Sequence, residues 1–269
     1  MVDFLKISQV QFQAEPSPIQ NSIQLEKLFK KALKFKPDVI CTPECSNIIT
    51  NDKKYLFKFA DYQKNCPVLK MCIKFAKKNN LFISIGSLLL KKNNKKKLLN
   101  RSFVINNKGD IQTYYDKIHM FDVKISKSER YKESELFQSG NKVIITKIKN
   151  INLGLTICYD IRFPNLYRSI AKKGAHIILI PAAFTVPTGR DHWKTLVRAR
   201  AIENNLFIIA TGMCGKHHSN RKTYGHSMII NPWGKILNKL DNNPNLLNTR
   251  INIQEVTEAR KKIPSIFYD

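Results

Sequence analysis

Residues 153–164 read LGLTICYDIRFP. The first five are apolar or β-branched around one glycine, the composition of a buried strand. Polar residues break the run at Asp160, and Pro164 falls where the first turn of a helix tolerates a missing N–H. Strand, short turn and helix form half of an α/β unit. Cys158 sits at the carboxyl end of that strand, where layered α/β proteins collect reactive side chains. The competing assignment is packing, because a reduced cysteine behaves as a small hydrophobe.

The same alternation continues in both directions. Towards the N-terminus, FLKISQVQFQ predicts a first strand, and residues 19–35 a helix with Ile23, Leu28 and Ala32 on its apolar face, stopped by Pro37. DVICTPE is a second strand ending at Pro43 and Glu44, and a helix over 68–78 precedes the strand LFISIGSLLL. RSFVINNKGDIQTYY predicts a hairpin turning at Asn107, Lys108 and Gly109. Residues 116–140 show no clean period and read as a long functional loop. VIITKIKNINLGL predicts a hairpin through Lys149 and Asn150, followed by a helix over 164–173. Then come the strand AHIILIPAAF, a helix over 188–203, the strand NLFIIATGMC, a hairpin turning at 231–234, the strand LNTRINI and a helix over 254–262. No linker or repeat interrupts this order, so residues 1–269 are expected to form one α/β domain.

Of 269 residues, 43% are hydrophobic, ample for a core, and no run approaches the roughly 18 apolar residues of a membrane span. The N-terminus lacks a basic region followed by a long apolar run, so a soluble cytoplasmic protein without a membrane partner is expected. Six cysteines are too few for a secreted disulfide scaffold and are read as thiols. The net charge of +26 attracts anions and raises the alternative of a basic nucleic-acid-binding protein. Yet the lysines are scattered through every segment, and the densest run, KKNNKKK at 91–97, falls at a predicted hairpin turn. No specific nucleic-acid partner is therefore expected.

Three reactive side chains follow three predicted strands: Glu44, Lys117 and Cys158. Each has a plain alternative, a helix cap for the glutamate, a surface ion pair with Asp116 for the lysine and packing for the cysteine. Together they supply a base, a cation and a nucleophile. The blocks that carry them, DVICTPE, YYDKIHMFD and GLTICYDIRFP, resemble the nitrilase superfamily of carbon-nitrogen hydrolases, with its Glu-Lys-Cys triad. The later segments IILIPAAFTVPTGRDHWKTLVRARAIENN and YGHSMIINPWG extend the resemblance over essentially the whole chain. CGKHHSNRKTYGHSMIINPWG at 214–234 is similar to the branch of deaminated glutathione amidases; Asn231 departs from it, standing where that pattern has Asp. The omega-amidase branch, acting on alpha-ketoglutaramate, is the alternative.

The resemblance implies a four-layer αββα sandwich, a homodimer or higher homo-oligomer, no cofactor, and hydrolysis of a small-molecule carboxamide to a carboxylate and ammonia through a cysteine thioester. Cys158 would be the nucleophile, and Glu44 the general base, best placed if burial raised its pKa towards the working pH. Lys117 and the backbone N–H of Tyr159 would stabilise the oxyanion. Glu133 matches the superfamily's second glutamate, with Glu135 as the competing choice. Tyr159, Phe184 and Thr185 are candidates for lining the pocket or filling the core. Asp160 and Arg162 read as a structural pair fixing the turn after the nucleophile. Arg190, Lys216 and Arg221 are candidates for binding an anionic end of the substrate, and the loop at 126–130 for specificity.

Two other chemistries compete. Cys214, His217 and His218 cluster, and Cys41 and Cys45 are close in sequence, but neither set has a second pair at zinc-ligand spacing. A papain-like enzyme or glutaminase needs a histidine base, and a glutaminase elbow flanks its cysteine with glycine, whereas Ile157 and Tyr159 flank Cys158. The histidines read as structural, His192 as an anchor of the helix that follows it.

Overall fold

The computed structural model describes residues 4–92, 96–125 and 130–268. Two sheets pack face to face with helices on their outer sides. The strands and helices that build them are β1 (Phe4–Gln11), α1 (Pro18–Ala32), β2 (Val39–Cys41), α2 (Pro67–Asn79), β3 (Phe82–Lys91), β4 (Leu98–Ile105), β5 (Ile111–Asp116), β6 (Ile145–Ile148), β7 (Ile151–Leu155), α3 (Pro164–Lys172), β8 (Ile177–Ala182), α4 (Lys194–Asn204), β9 (Phe207–Gly212), β10 (Met228–Ile230), β11 (Ile236–Lys239), β12 (Asn245–Asn252) and α5 (Gln254–Lys262). The first sheet runs β12-β1-β2-β3-β4-β5, with the short strand Asp61–Tyr62 added beside β3. The second runs β11-β10-β9-β8-β7-β6.

In each sheet, parallel neighbours occupy the centre and antiparallel strands the edges: β1-β2-β3 in one, β7-β8-β9 in the other. The parallel strands are apolar on both faces because one face meets the other sheet and the other meets helices. Along β1, Leu5 and Ile7 join the core shared with β7 and β8, while Val10 joins the opposite core with Leu25 and Phe29 of α1. Buried polar groups between the sheets are paired: Gln9 Nε2 donates to Ala210 O (2.8 Å) and Thr211 Oγ1 (2.9 Å). The closest approach is at Gly86, where a Cβ would lie 2.1 Å from Thr42 O and 2.4 Å from Pro181 Cβ. That contact locks the end of β2 against the end of β8.

Some expectations needed correction. On α1 the buried residues are Pro18, Asn21, Leu25, Phe29 and Ala32, whereas Ile23 is exposed. Within 116–140, Asp122–Lys124 pairs with Arg130–Lys132 as a hairpin, followed by a helical turn at Glu133–Leu136. These strands are too short to show a period. The helix expected from residue 188 begins with a π-helical turn, Gly189–Trp193, before α4. Part of the 91–97 turn and most of the 126–130 loop lie outside the described residues. Among the described residues no helix is long and apolar enough to cross a membrane.

Candidate active site

Glu44 leaves the first sheet just after β2. Thr42 N–H still follows the ladder, donating to Ser84 O (3.0 Å), but Pro43 has no N–H and pairing ends there. Cys45 adopts a left-handed backbone, φ 60°, held by Ser87 Oγ accepting from its N–H at 2.9 Å. Such a conformation is costly for a residue with a side chain and persists only where surroundings enforce it. It turns the Glu44 carboxylate towards the second sheet. Oε1 accepts from Asn100 Nδ2 (3.0 Å) and Lys117 Nζ (3.0 Å), and Oε2 from Ala183 N–H (2.8 Å).

Lys117 follows β5 and is held by its own backbone: its N–H donates to Asn100 O (3.0 Å) and its carbonyl accepts from Gly140 N–H (2.8 Å). Its ammonium also donates to Glu133 Oε1 (3.0 Å) and Oε2 (2.8 Å). Glu133 accepts from Asn100 Nδ2 (3.2 Å) and Phe121 N–H (2.7 Å) as well. Glu135 points away and pairs with Lys53 and Lys132. Glu133, not Glu135, therefore meets Lys117.

Cys158 comes from the second sheet, after β7, and also has a left-handed backbone, φ 47°. Its thiol lies on the same cavity wall as the Glu44 carboxylate and feels the charges of Glu44 and Lys117. The turn is pinned by buried Asp160, which accepts from Ile157 N–H (2.8 Å), Tyr115 Oη (2.7 Å) and His119 N–H (3.1 Å), and bonds His119 Nδ1 (2.7 Å). The expected Asp160–Arg162 pair does not form. Arg162 lies instead beside His192 Nδ1 (3.1 Å) and the rings of Tyr159 and Phe184. A carboxylate with four nearer donors has no need of the guanidinium.

These side chains open into a cavity of about 340 Å³. Tyr159, Phe184 and Thr185 line it, with Phe121 and Tyr131 from the hairpin segment. Of the three cationic candidates only Arg221 reaches it; Arg190 and Lys216 are exposed and outside its wall. Charge and nearness in sequence suggested all three, but neither reveals which way a side chain faces. Asn100 and the Ala183 N–H carried no motif signal, since their importance comes from contacts 56 and 139 residues away in the chain.

The charges are concentrated where water is excluded: Lys117 is 2%, Glu44 4% and Cys158 9% exposed. Burial opposes ionisation of Glu44, but Lys117 and the hydrogen bonds from Cys158, Lys117 and Asn100 outweigh it and hold the carboxyl below its usual range. The raised value that would best suit a general base is thus not what the resting site has. Burial likewise opposes the Lys117 charge, and Glu133 with Glu44 pushes its pKa well up. Burial, then the Glu44 charge, push the Cys158 thiol well up despite Lys117. The resting centre is a thiol, two carboxylates and an ammonium.

The other thiols are buried and free. His217 bonds Thr223 Oγ1 and Ala14 O, while His218 bonds Thr50 and Ser219, so the neighbouring rings serve different partners. Among the described residues no group of three or more His, Cys, Asp or Glu is placed to hold a metal.

The model of the carbon-nitrogen hydrolase family matches residues 6–261. The deaminated glutathione amidase of Dictyostelium discoideum is 36% identical over 253 residues, covering 91% of this chain and 86% of that protein. That of Yersinia enterocolitica is 33% identical over 246 residues, covering 91% and 85%. The crystal structure of the C. elegans NitFhit protein superposes with a TM-score of 0.93 at 30% identity; it covers 99% of this chain, which spans only 65% of that longer one. Saccharomyces cerevisiae Nit3, a member of branch 10 of the nitrilase superfamily, superposes at 0.87 with 25% identity, covering 97% and 95%. The expected four-layer sandwich is thus the fold of these neighbours, and this chain belongs to the carbon-nitrogen hydrolase family.

Proposed function

We propose that the chain is a cysteine-dependent amidase acting on deaminated glutathione. The observation that carries the reading is the meeting of the Cys158 thiol with the Glu44 carboxylate and the Lys117 ammonium, paired to each other at 3.0 Å, at the wall of one cavity. Cys158 sulfur attacks the amide carbonyl while Glu44 takes its proton. The carbonyl oxygen becomes an oxyanion, met by Lys117 and by the backbone N–H of Tyr159. Two of the three Lys117 bonds converge on Glu133, so one N–H can turn to the oxyanion with both carboxylates still paired. Glu44 then gives its proton to the departing amine, the C–N bond breaks and a thioester remains. Water deprotonated by Glu44 hydrolyses it, returning the thiol and releasing a carboxylic acid.

The substrate identity rests on the relatives' names, which do not favour the omega-amidase alternative. It also changes one expectation. The γ-glutamyl amide of glutathione joins the acyl group to cysteinylglycine, so hydrolysis of the deaminated form yields a 2-oxo dicarboxylic acid and a dipeptide amine. Ammonia is the product only for primary carboxamides. The test measures 2-oxoglutarate and dipeptide release from deaminated glutathione, beside ammonia release from alpha-ketoglutaramate and glutamine, with wild type and Cys158→Ala. Selective turnover of deaminated glutathione, lost in Cys158→Ala, is expected. Retained turnover in the variant would sink the nucleophile, and preference for a primary amide would sink the substrate.

A further inference from the structure

Arg221 differs from the lysines of the cavity wall. Five cationic side chains line it, Lys53, Lys117, Arg130, Lys132 and Arg221, against the two carboxylates Glu44 and Glu133. Lys117 is matched by both of those glutamates, and Lys53 and Lys132 share Glu135 just outside. The Arg221 guanidinium has no carboxylate partner among the described residues. It lies over the Tyr131 ring, 4.5 Å from its centroid. Its remaining contacts are long and neutral, Nη2 to Ala183 O (3.3 Å) and Nη1 to Asn51 Oδ1 (3.5 Å), and its buried Nε has no hydrogen-bond partner. The backbone beneath it is fixed by His217 N–H donating to Arg221 O at 2.7 Å.

A partly desolvated guanidinium with unfilled donors, stacked on an aromatic face, is built for bidentate recognition of a carboxylate. Ala183 sets its reach: the residue whose carbonyl accepts from Arg221 donates its N–H to Glu44. Arg221 therefore stands one residue's backbone away from the reacting atoms. We propose that Arg221, stacked on Tyr131, binds a carboxylate of the amide substrate and sets the enzyme's preference for anionic amides. The proposal rests on the amidase reading. Deaminated glutathione offers two such carboxylates, one on the 2-oxo acyl portion and one on the terminal glycine.

The experiment compares kcat/KM of wild type, Arg221→Lys and Arg221→Met on deaminated glutathione and on two analogues, each with one carboxylate converted to its amide. Arg221→Met is expected to lose about 10–100-fold on the parent compound, the range of a charge-assisted hydrogen bond, mainly through KM. The loss disappears on the analogue lacking the carboxylate that Arg221 binds, which identifies that end. Arg221→Lys, keeping charge without the fork, recovers part of it. Equal losses on all three compounds, or none, overturn the proposal. A second arm is independent of turnover: calorimetry of glutarate binding to Cys158→Ala and to Cys158→Ala/Arg221→Met. The second variant is expected to bind about 10–100-fold more weakly, and equal affinity, or no binding to either, overturns it. Absence of wild-type turnover would remove the amidase reading while the calorimetric arm still decided the role of Arg221.

Discussion

Replacing Lys117 by methionine keeps the volume of a buried chain and deletes one charge. Its Nζ bonds Glu44 Oε1 (3.0 Å), Glu133 Oε1 (3.0 Å) and Glu133 Oε2 (2.8 Å), so the variant leaves two carboxylates facing each other. Both also touch Asn100 Nδ2, at 3.0 and 3.2 Å, which places one oxygen of each within about 6 Å of the other; at an effective dielectric of about 20 they repel by about 3 kcal/mol. Stripping a partner from a buried ion pair costs about 3–5 kcal/mol. At ~2–4 °C per kcal/mol, the melting midpoint falls by roughly 10 °C at neutral pH. The pH dependence is the sharper readout. In the wild type Glu44 is held below its unfolded value, so its contribution is present above about pH 4 and is lost as pH falls further. In the variant the two carboxylates repel each other with no cation between them, so stability is greatest in acid and falls as pH rises. Calorimetric midpoints between pH 5 and 8 should be nearly level for the wild type and fall with pH for Lys117→Met. Adding Glu133→Gln should restore the midpoint but not turnover, which drops about 100–1,000-fold with the oxyanion donor gone. Parallel pH profiles for wild type and Lys117→Met would refute the reasoning.

The thiol assignment predicts that alkylation of Cys158 by iodoacetamide accelerates continuously from neutral to alkaline pH, with no fast plateau in acid. Because the Glu44 charge helps hold the thiol up, Glu44→Gln should move that rise to lower pH while amide turnover collapses; an unmoved rise would contradict the pairing. Asp160→Asn replaces an acceptor of four converging contacts by a group with one acceptor and two donors. It should destabilise the fold by about 1–3 kcal/mol and lower kcat more than it raises KM. A change confined to KM would show that Asp160 does not position Cys158.

The order of elements and the three reactive strand ends were legible in the sequence because each depends on a local signal. An apolar run ends at a proline before Glu44, a hairpin ends before Lys117, and a strand ends at Cys158 ahead of Pro164. What stayed hidden depends on contacts across the fold. Asp160 looked like the partner of Arg162 because they are two residues apart, but the carboxylate is taken by Tyr115 on β5 of the other sheet and by His119 just after that strand. Arg190, Lys216 and Arg221 were equal as charges, and only the packed structure separates the one on the cavity wall from the two in solvent. The direction of the Glu44 shift was hidden for the same reason, since it is set by Lys117 and Asn100 converging on the carboxylate from other segments.

The lowered pKa of Glu44 bears on how the proposed centre would work. At rest the buried charges sum to minus one: Glu44 and Glu133 negative, Lys117 positive, Cys158 neutral. In the proposed reaction, Cys158 attacks, Glu44 becomes neutral and the substrate oxygen becomes negative, so the total is unchanged and one negative charge has moved. Lys117 borders both positions in the proposed geometry. Its bond to Glu44 weakens as the proton arrives, and the same ammonium meets the oxyanion that forms in that step. A base held at low basicity by this lysine is therefore not a handicap, because the interaction that depresses Glu44 in the resting state is transferred to the transition state rather than lost. Catalysis of this kind depends on donors fixed before the reaction begins, and the backbones of Cys45 and Cys158, both left-handed, hold the two ends of that transfer in place.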